Sequence, residues 1–283
     1  MRRAALSSSL IVFVWLGACS SSSTPAGQPP AAEPDASVVE PPEGDASVDP
    51  KDDASTPDTG ATDSGSPDTL LGTLTGSCGV VRTQLLQAAP SFEVQYLSFV
   101  AGEKFEKASL SADAQRILST PNAGGSSIES EVMSFEILRH CEGAKLLKTE
   151  KEILYTSGGD GGNNITDNLL EIDGKKVGVN PLRIYRPSNI TLSDADVKKD
   201  LSDKLISIKR SSERVVPADK WVKQVMHVWT ATAAATDAVK RMYPTIDADT
   251  KADTIVLVTE AKGGGFLFCN PDPPLGSECP PAN

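Results

Sequence analysis

Asn168-Leu169-Leu170-Glu171-Ile172, then Asp173-Gly174, then Lys175-Lys176-Val177-Gly178-Val179 reads as a β-hairpin. Two apolar-rich runs are joined by two residues, and Asp-Gly accepts the positive φ angles of a type I′ turn. Downstream, Ser193 opens a helix that carries Val197, Leu201, Leu205 and Ile208 at helical spacing, with Asp196 completing a capping-box start. Its Leu205–Ser211 end also fits a strand. Pro217 suits a helix start. From there Trp221, Val225, Val228, Trp229, Thr232, Val239 and Met242 predict one long helix, stopped by Pro244. Asp253-Thr254-Ile255-Val256-Leu257-Val258-Thr259 is a continuous apolar strand, buried on both faces if parallel.

Upstream of the hairpin, Lys151–Tyr155 predicts a short strand and Ser157–Asn164 a glycine-rich loop. Ser126–Cys141 predicts a helix with Ile128, Val132, Phe135 and Leu138 on one face. Pro121–Gly125 is a break. Residues 79–119 read as helix or short helices, over Val80–Leu86, Phe92–Phe99 and Ser111–Leu118. Helices alternate with strands around the hairpin. The expected fold class is therefore mixed α/β: a single layered domain with a central mixed sheet flanked by helices.

The chain has 283 residues and a net charge of −11, unevenly distributed. Residues 20–68 hold eleven acids against the single base Lys51, nine of the twenty prolines and no aromatic residue. Such a segment cannot bury enough apolar surface to offset chain entropy, and self-repulsion extends it. Its Asp-Ala-Ser repeats at Asp35, Asp45 and Asp53 are too scattered to cage a calcium ion. The remainder is apolar enough to fold, and no second long apolar run suggests a polytopic membrane protein.

At the N-terminus, Met1-Arg2-Arg3 is followed by an apolar run from Ala4 to Leu16 and then Leu16-Gly17-Ala18-Cys19. As a helix the run spans about 20 Å, short of a bilayer core of about 30 Å, so it reads as a signal-peptide apolar region. Leu-Gly-Ala-Cys resembles the bacterial lipobox, and the following Pro/Asp/Ser-rich tether resembles those of myxobacteria-like lipoproteins. The resemblance implies cleavage before Cys19 and acylation of its thiol. It implies retention at the outer membrane as well, because Ser20, not Asp, follows. The expected organisation is a lipoprotein signal peptide at 1–18, an acylated Cys and tether at 19–68, and an extracytoplasmic domain at 69–283. The domain is expected to act as a monomer that meets the membrane through its lipid.

Four cysteines remain. Outside the cytoplasm an even number implies two disulfides, with three connectivities open. Cys269 and Cys279 flank a proline-rich tail that a local bridge would tie down, which favours Cys269–Cys279 and leaves Cys78–Cys141. No Cys-x-x-Cys is present, and His140 beside Cys141 lacks zinc-ligand spacing.

Helix, three strands, helix and strand across 126–260 resembles the restriction-endonuclease-like superfamily, whose motif is PD-(D/E)xK. The resemblance implies metal-dependent phosphodiester cleavage, with two acids holding Mg²⁺ and a lysine helping to activate water. Thr166-Asp167 matches the first acid. Glu131 or Glu136 matches an acid that some members carry on the preceding helix. The Glu-x-Lys slot reads Asn180-Pro181-Leu182-Arg183, without carboxylate or lysine, and the proline is expected to disturb the strand. Arg183 can offset phosphate charge but cannot act as a base at neutral pH. Gln224 and His227 match a Gln-containing helix of some members. The expectation is a non-catalytic binding or scaffold module, with a Mg²⁺-dependent nuclease or a purely structural lipoprotein as alternatives.

Each of these residues also has a structural reading. Asp167 suits a loop cap, Glu131 and Glu136 a solvated helix face, and His227 a packing role. No Gly-x-Ser-x-Gly elbow, phosphate loop or dinucleotide fingerprint appears. Residues 175–223 contain twelve bases and six acids, an excess that would attract polyanions if it shared a face.

Overall fold

The computed structural model describes residues 70–76, 78–121, 128–156, 164–187, 190–269 and 276–278. The chain divides into Met1–Thr59 and Gly60–Asn283. The proposed signal peptide, Cys19 and the tether lie outside the described residues, as does Cys279.

In chain order the elements are β1 (Thr73–Gly76), α1 (Val80–Gln84), β2 (Ser91–Ser98), α2 (Ala112–Ser119), α3 (Ile128–Glu142) and β3 (Lys145–Thr149). Then come β4 (Asn168–Ile172), β5 (Lys175–Ile184), α4 (Asp194–Arg214), β6 (Lys223–Thr230), α5 (Ala233–Met242), α6 (Ala248–Lys251) and β7 (Ile255–Lys262). The strands form one mixed sheet in the order β1-β2-β7-β6-β5-β4-β3. β2, β7, β6 and β5 run parallel, and antiparallel pairs close both ends.

Strand alternation splits the core into two layers. Val225 of β6 and Ile255 and Leu257 of β7 face α1, α2 and α3, where they meet Val81, Ile117, Val132, Phe135 and Leu138. Met226, Val228, Val256 and Val258 face α4 and α5, against Val197, Leu201, Leu205, Ile208 and Val239. The domain is thus the mixed α/β, helix-flanked sheet expected, with one sheet between two helical layers.

The hairpin is present. Asp173 (φ 49°) and Gly174 (φ 69°) both take positive φ, as a type I′ turn requires, and Leu170 pairs with Val177 across it. β7 is parallel to both neighbours, with its first five residues buried. The α4 capping box is present: Ser193 Oγ accepts from the Asp196 N–H, and the Asp196 carboxylate accepts from the Ser193 N–H. Leu205–Ser211 belongs to this helix and is not a strand.

Four expectations need correction. Phe92–Phe99 is not helical, because β2 docks in parallel on β7 with Phe92 and Val94 against the α4 layer. The single helix expected from Trp221 to Met242 is instead β6 followed by α5. All eight residues of β6 are buried, so apolar residues on both faces of a central strand imitate a helical stripe. Thr232 then starts α5 by accepting from the Ala235 N–H. Lys151–Tyr155 is not a strand either. A capping box of Thr149 and Glu152 turns the chain into a 3-10 turn at Glu150–Glu152, so the outer strand is β3.

Finally, Pro181 does not break β5, which stays in parallel register with β6 through Pro181 opposite His227. Pairing with β4 ends at Asn168 opposite Val179, so from Asn180 onward β5 is flanked by β6 alone. A strand with one free side tolerates a residue that lacks an N–H.

Cys78 and Cys141 form a disulfide across a sequence separation of 63. In the chain-entropy model a loop of that size contributes about 4 kcal/mol. Next to it, the buried Glu142 carboxylate accepts from the Val81 and Arg82 N–H groups at 3.2 and 3.0 Å, capping α1. Cys269 is disulfide-bonded as well.

Candidate functional site

Asp167 stands immediately before β4, at the end of the hairpin opposite its turn. Its Oδ2 lies 3.3 Å from Lys204 Nζ, which projects from α4. The side chains are mostly buried, at 16% and 23% exposure. Burial pushes the Asp167 carboxyl above the usual carboxylate range, and the Lys204 ammonium partly offsets that push.

Behind Asp167 lies a buried polar network between the sheet and α4. Gln224 Nε2 donates to the Ile208 carbonyl at 2.9 Å and to Ser211 Oγ and Ser212 Oγ, each at 2.8 Å. Its Oε1 accepts from Thr166 Oγ1 at 3.2 Å and from the Asn180 amide. Rotated by half a turn, the same Asn180 amide would donate to the Ile165 carbonyl and to Asp167 Oδ2, at 3.2 and 3.3 Å. Either way an amide, not a second acid, stands beside Asp167. The Thr166 N–H donates to Tyr155 Oη at 2.7 Å, joining the loop to the network.

The structure brings Gln224 together with Thr166 and Asn180, next to Asp167 in the chain and across the hairpin, and places Glu131 and Asp167 along one cleft. This small, partly open cleft is also lined by Ile117, Thr120, Pro121, Ile128, Thr149, Glu150 and Asn168.

The other candidates fall elsewhere. Glu136 is buried beneath α2, where it accepts from the Ser111 N–H at 2.8 Å and from Arg139 Nε at 2.9 Å. It is a structural cap and not part of a solvated helix face. Arg183 is farther along β5 and donates to the Leu267 carbonyl at 3.5 Å. Burial lowers its pKa, while Glu129 and Glu131 hold it up.

His227 is fully buried, 2.7 Å from Thr259 Oγ1 and stacked on Trp229 at 4.5 Å. Burial pushes its pKa down to about 3. Gln224 and His227, expected to share a helix, are three apart on a strand and therefore face opposite helical layers.

The Mg²⁺ site implied by the resemblance needs converging anionic oxygens. Asp167 is ion-paired with Lys204, the residue across the hairpin is Asn180, and the Asn180 amide is itself bonded to the amide of Gln224. Among the described residues no group of three His, Cys, Asp or Glu side chains is placed to hold a metal ion. The residues present do not fit that centre.

The basic stretch is also largely engaged. Lys199 pairs with Asp203, Lys204 with Asp167, Lys209 with Asp249 and Arg186 with Asp200. Lys204, expected with Lys198, Lys199, Lys209 and Arg210 to attract polyanions, instead pairs with Asp167, and Lys223 escaped the reading of the sequence. Lys204 sits one residue before Leu205 on the buried stripe of α4, a position from which its stem can follow that face inward. Lys223 is 2% exposed and donates to the carbonyls of Gln84, Gln87 and Ala89. No sequence signal marks it, because those acceptors are distant backbone.

No family model matches the chain, and no solved structure matches it. It is similar to a Dictyostelium discoideum protein described as the AAC-rich mRNA clone AAC4 protein, with 39% identity over 166 residues. The match takes in 56% of this chain and 24% of that relative, so it spans about a quarter of the curated relative's length.

Proposed function

We propose that the chain is a lipid-anchored envelope protein whose folded domain is a non-catalytic binding module. The anchor half of the reading rests on Leu16-Gly17-Ala18-Cys19 behind a basic start. Among the described residues no helix is long and apolar enough to cross a membrane.

One observation carries the non-catalytic half. Asp167 faces Lys204 at 3.3 Å, with amides where a metal-dependent phosphodiesterase would place its second acid. Splitting water on a metal needs both a strong cation site and a proton acceptor. Here the carboxylate is partnered, and Arg183 stays charged at neutral pH.

The test is an assay of the full chain on DNA and RNA with Mg²⁺ or Mn²⁺, beside an Asp167→Ala variant. The expected result is no cleavage by either protein. Metal-dependent cleavage that disappears in Asp167→Ala would overturn the reading and favour the nuclease.

A further inference from the structure

Residues 78–90 run from the first disulfide cysteine through α1 to the start of β2, and of these thirteen only Val81 and Leu85 are buried. The segment is fastened at one end by the Cys78–Cys141 bond and by the Glu142 carboxylate on the Val81 and Arg82 N–H groups. Arg82 also pairs with Asp173 at 3.3 Å, but both side chains are about half exposed, so that pair contributes little.

At its other end the segment closes over Lys223, the first residue of β6. Lys223 Nζ donates to the carbonyls of Gln84 and Ala89 at 3.1 and 2.9 Å, and to that of Gln87. These acceptors are neutral. Burial holds the Lys223 ammonium below its ordinary pKa, and Asp253 opposes that shift by charge alone. Burying a charge without a bonded counter-ion costs free energy, so the closed segment carries a penalty that its covalent tie offsets. The tie is reachable, because Cys78 is exposed and Cys141 half-buried.

We propose that residues 78–90 are a redox-gated strap, closed over Lys223 while Cys78–Cys141 is oxidised and opened when a dithiol reductant reduces that bond. The strap goes beyond the binding-module reading and does not depend on it. One thiolate of the reductant attacks Cys78 Sγ, the S–S bond breaks, and Cys141 leaves as a thiolate that takes up a proton. The reductant's second thiol then attacks the mixed disulfide and frees Cys78. Two electrons and two protons pass to the cysteine pair, and the reductant is left as a disulfide. Without the tie, two buried side chains, the Glu142 cap and a half-exposed ion pair stand against the desolvation of Lys223. Opening returns the ammonium to water and uncovers the face of α3 behind Val81 and Leu85.

The test follows lysine acylation by N-hydroxysuccinimide acetate, mapped on peptides, together with amide exchange. It compares the oxidised full chain, the dithiothreitol-treated full chain, and Cys78→Ser/Cys141→Ser, which keeps the bond at Cys269. Exposed Lys220 is the reference lysine. In the oxidised chain Lys223 should react slowly. In the other two it should react about tenfold or more faster, with faster exchange at Val81–Gln87 and unchanged exchange over β7. Equal protection of Lys223 with and without the bond would overturn the strap, as would a bond that dithiothreitol leaves intact in the folded protein. Opening by dithiothreitol without opening in the double variant would trace to the bond at Cys269 and also overturn it. Loss of β7 protection in the double variant would do the same, because the bond would then hold the whole domain and not a strap.

Discussion

His227 shows how completely an environment can reassign a residue. An imidazole at the surface exchanges protons near neutrality, but here it is sealed under α3 against Trp229, and burial depresses its pKa to about 3. The unfolded chain therefore binds a proton that the folded chain refuses between the ordinary histidine value and about pH 3. A depressed folded-state pKa means that stability is full above the unfolded value and is lost as pH falls through this window. His227→Gln cannot titrate. Urea midpoints measured from pH 7 to pH 4 should fall more steeply for the wild type than for this variant. Parallel curves would show that His227 does not carry the acid sensitivity. Glu136 and Glu142 illustrate the same reassignment in acids, since each accepts from backbone N–H groups at a helix start.

At the scale of elements, local chemistry that closes within a few residues was readable, and chemistry that depends on a distant partner was not. Asp173-Gly174 and the Ser193–Asp196 capping box are complete within one turn of chain. β2 and β6 are strands because β7 lies between them, and nothing in either segment alone distinguishes a doubly buried strand from a buried helix. The capping box also offers a clean test, because its groups are exposed and make no other use of Ser193. Ser193→Ala should destabilise the domain by about 1 kcal/mol, the ordinary cost of losing an N-cap side chain. Chemical denaturation with an unchanged slope would measure it, and an unaltered midpoint would show that α4 is held by its packed face alone.

For the whole molecule, two devices hold the N-terminal end of the folded domain. The Cys78–Cys141 disulfide and the Glu142 cap both fasten the start of α1 to the end of α3, directly after the first strand. In the proposed arrangement this is where the tether joins the domain, so that end meets any pull from the membrane. In that proposed arrangement attachment would depend on the thiol of Cys19. Cys19→Ser should move the protein from the membrane fraction to the soluble fraction, or leave an unprocessed precursor, because a hydroxyl does not take the lipid. Unchanged detergent partitioning of the variant would refute the anchor.

The sequence alone determined the mixed α/β class, the hairpin, the buried β7 strand and the α4 cap, because each is written in contiguous residues whose periodicity or turn chemistry has one low-energy solution. It also carried Leu16-Gly17-Ala18-Cys19, which resembles a lipobox, the acidic proline-rich composition of 20–68, and a preference for Cys78–Cys141 among three open connectivities, which the structure then shows. Only the tertiary structure decided that β6 is a strand, that Pro181 lies where β5 has one flanking strand, and that Gln224 and His227 face opposite layers. It alone paired Asp167 with Lys204 across thirty-seven residues and left the Asn168 amide without a partner. The reason is physical: burial and partnership are properties of packed surfaces, set by residues far apart in the chain, and no local period records them.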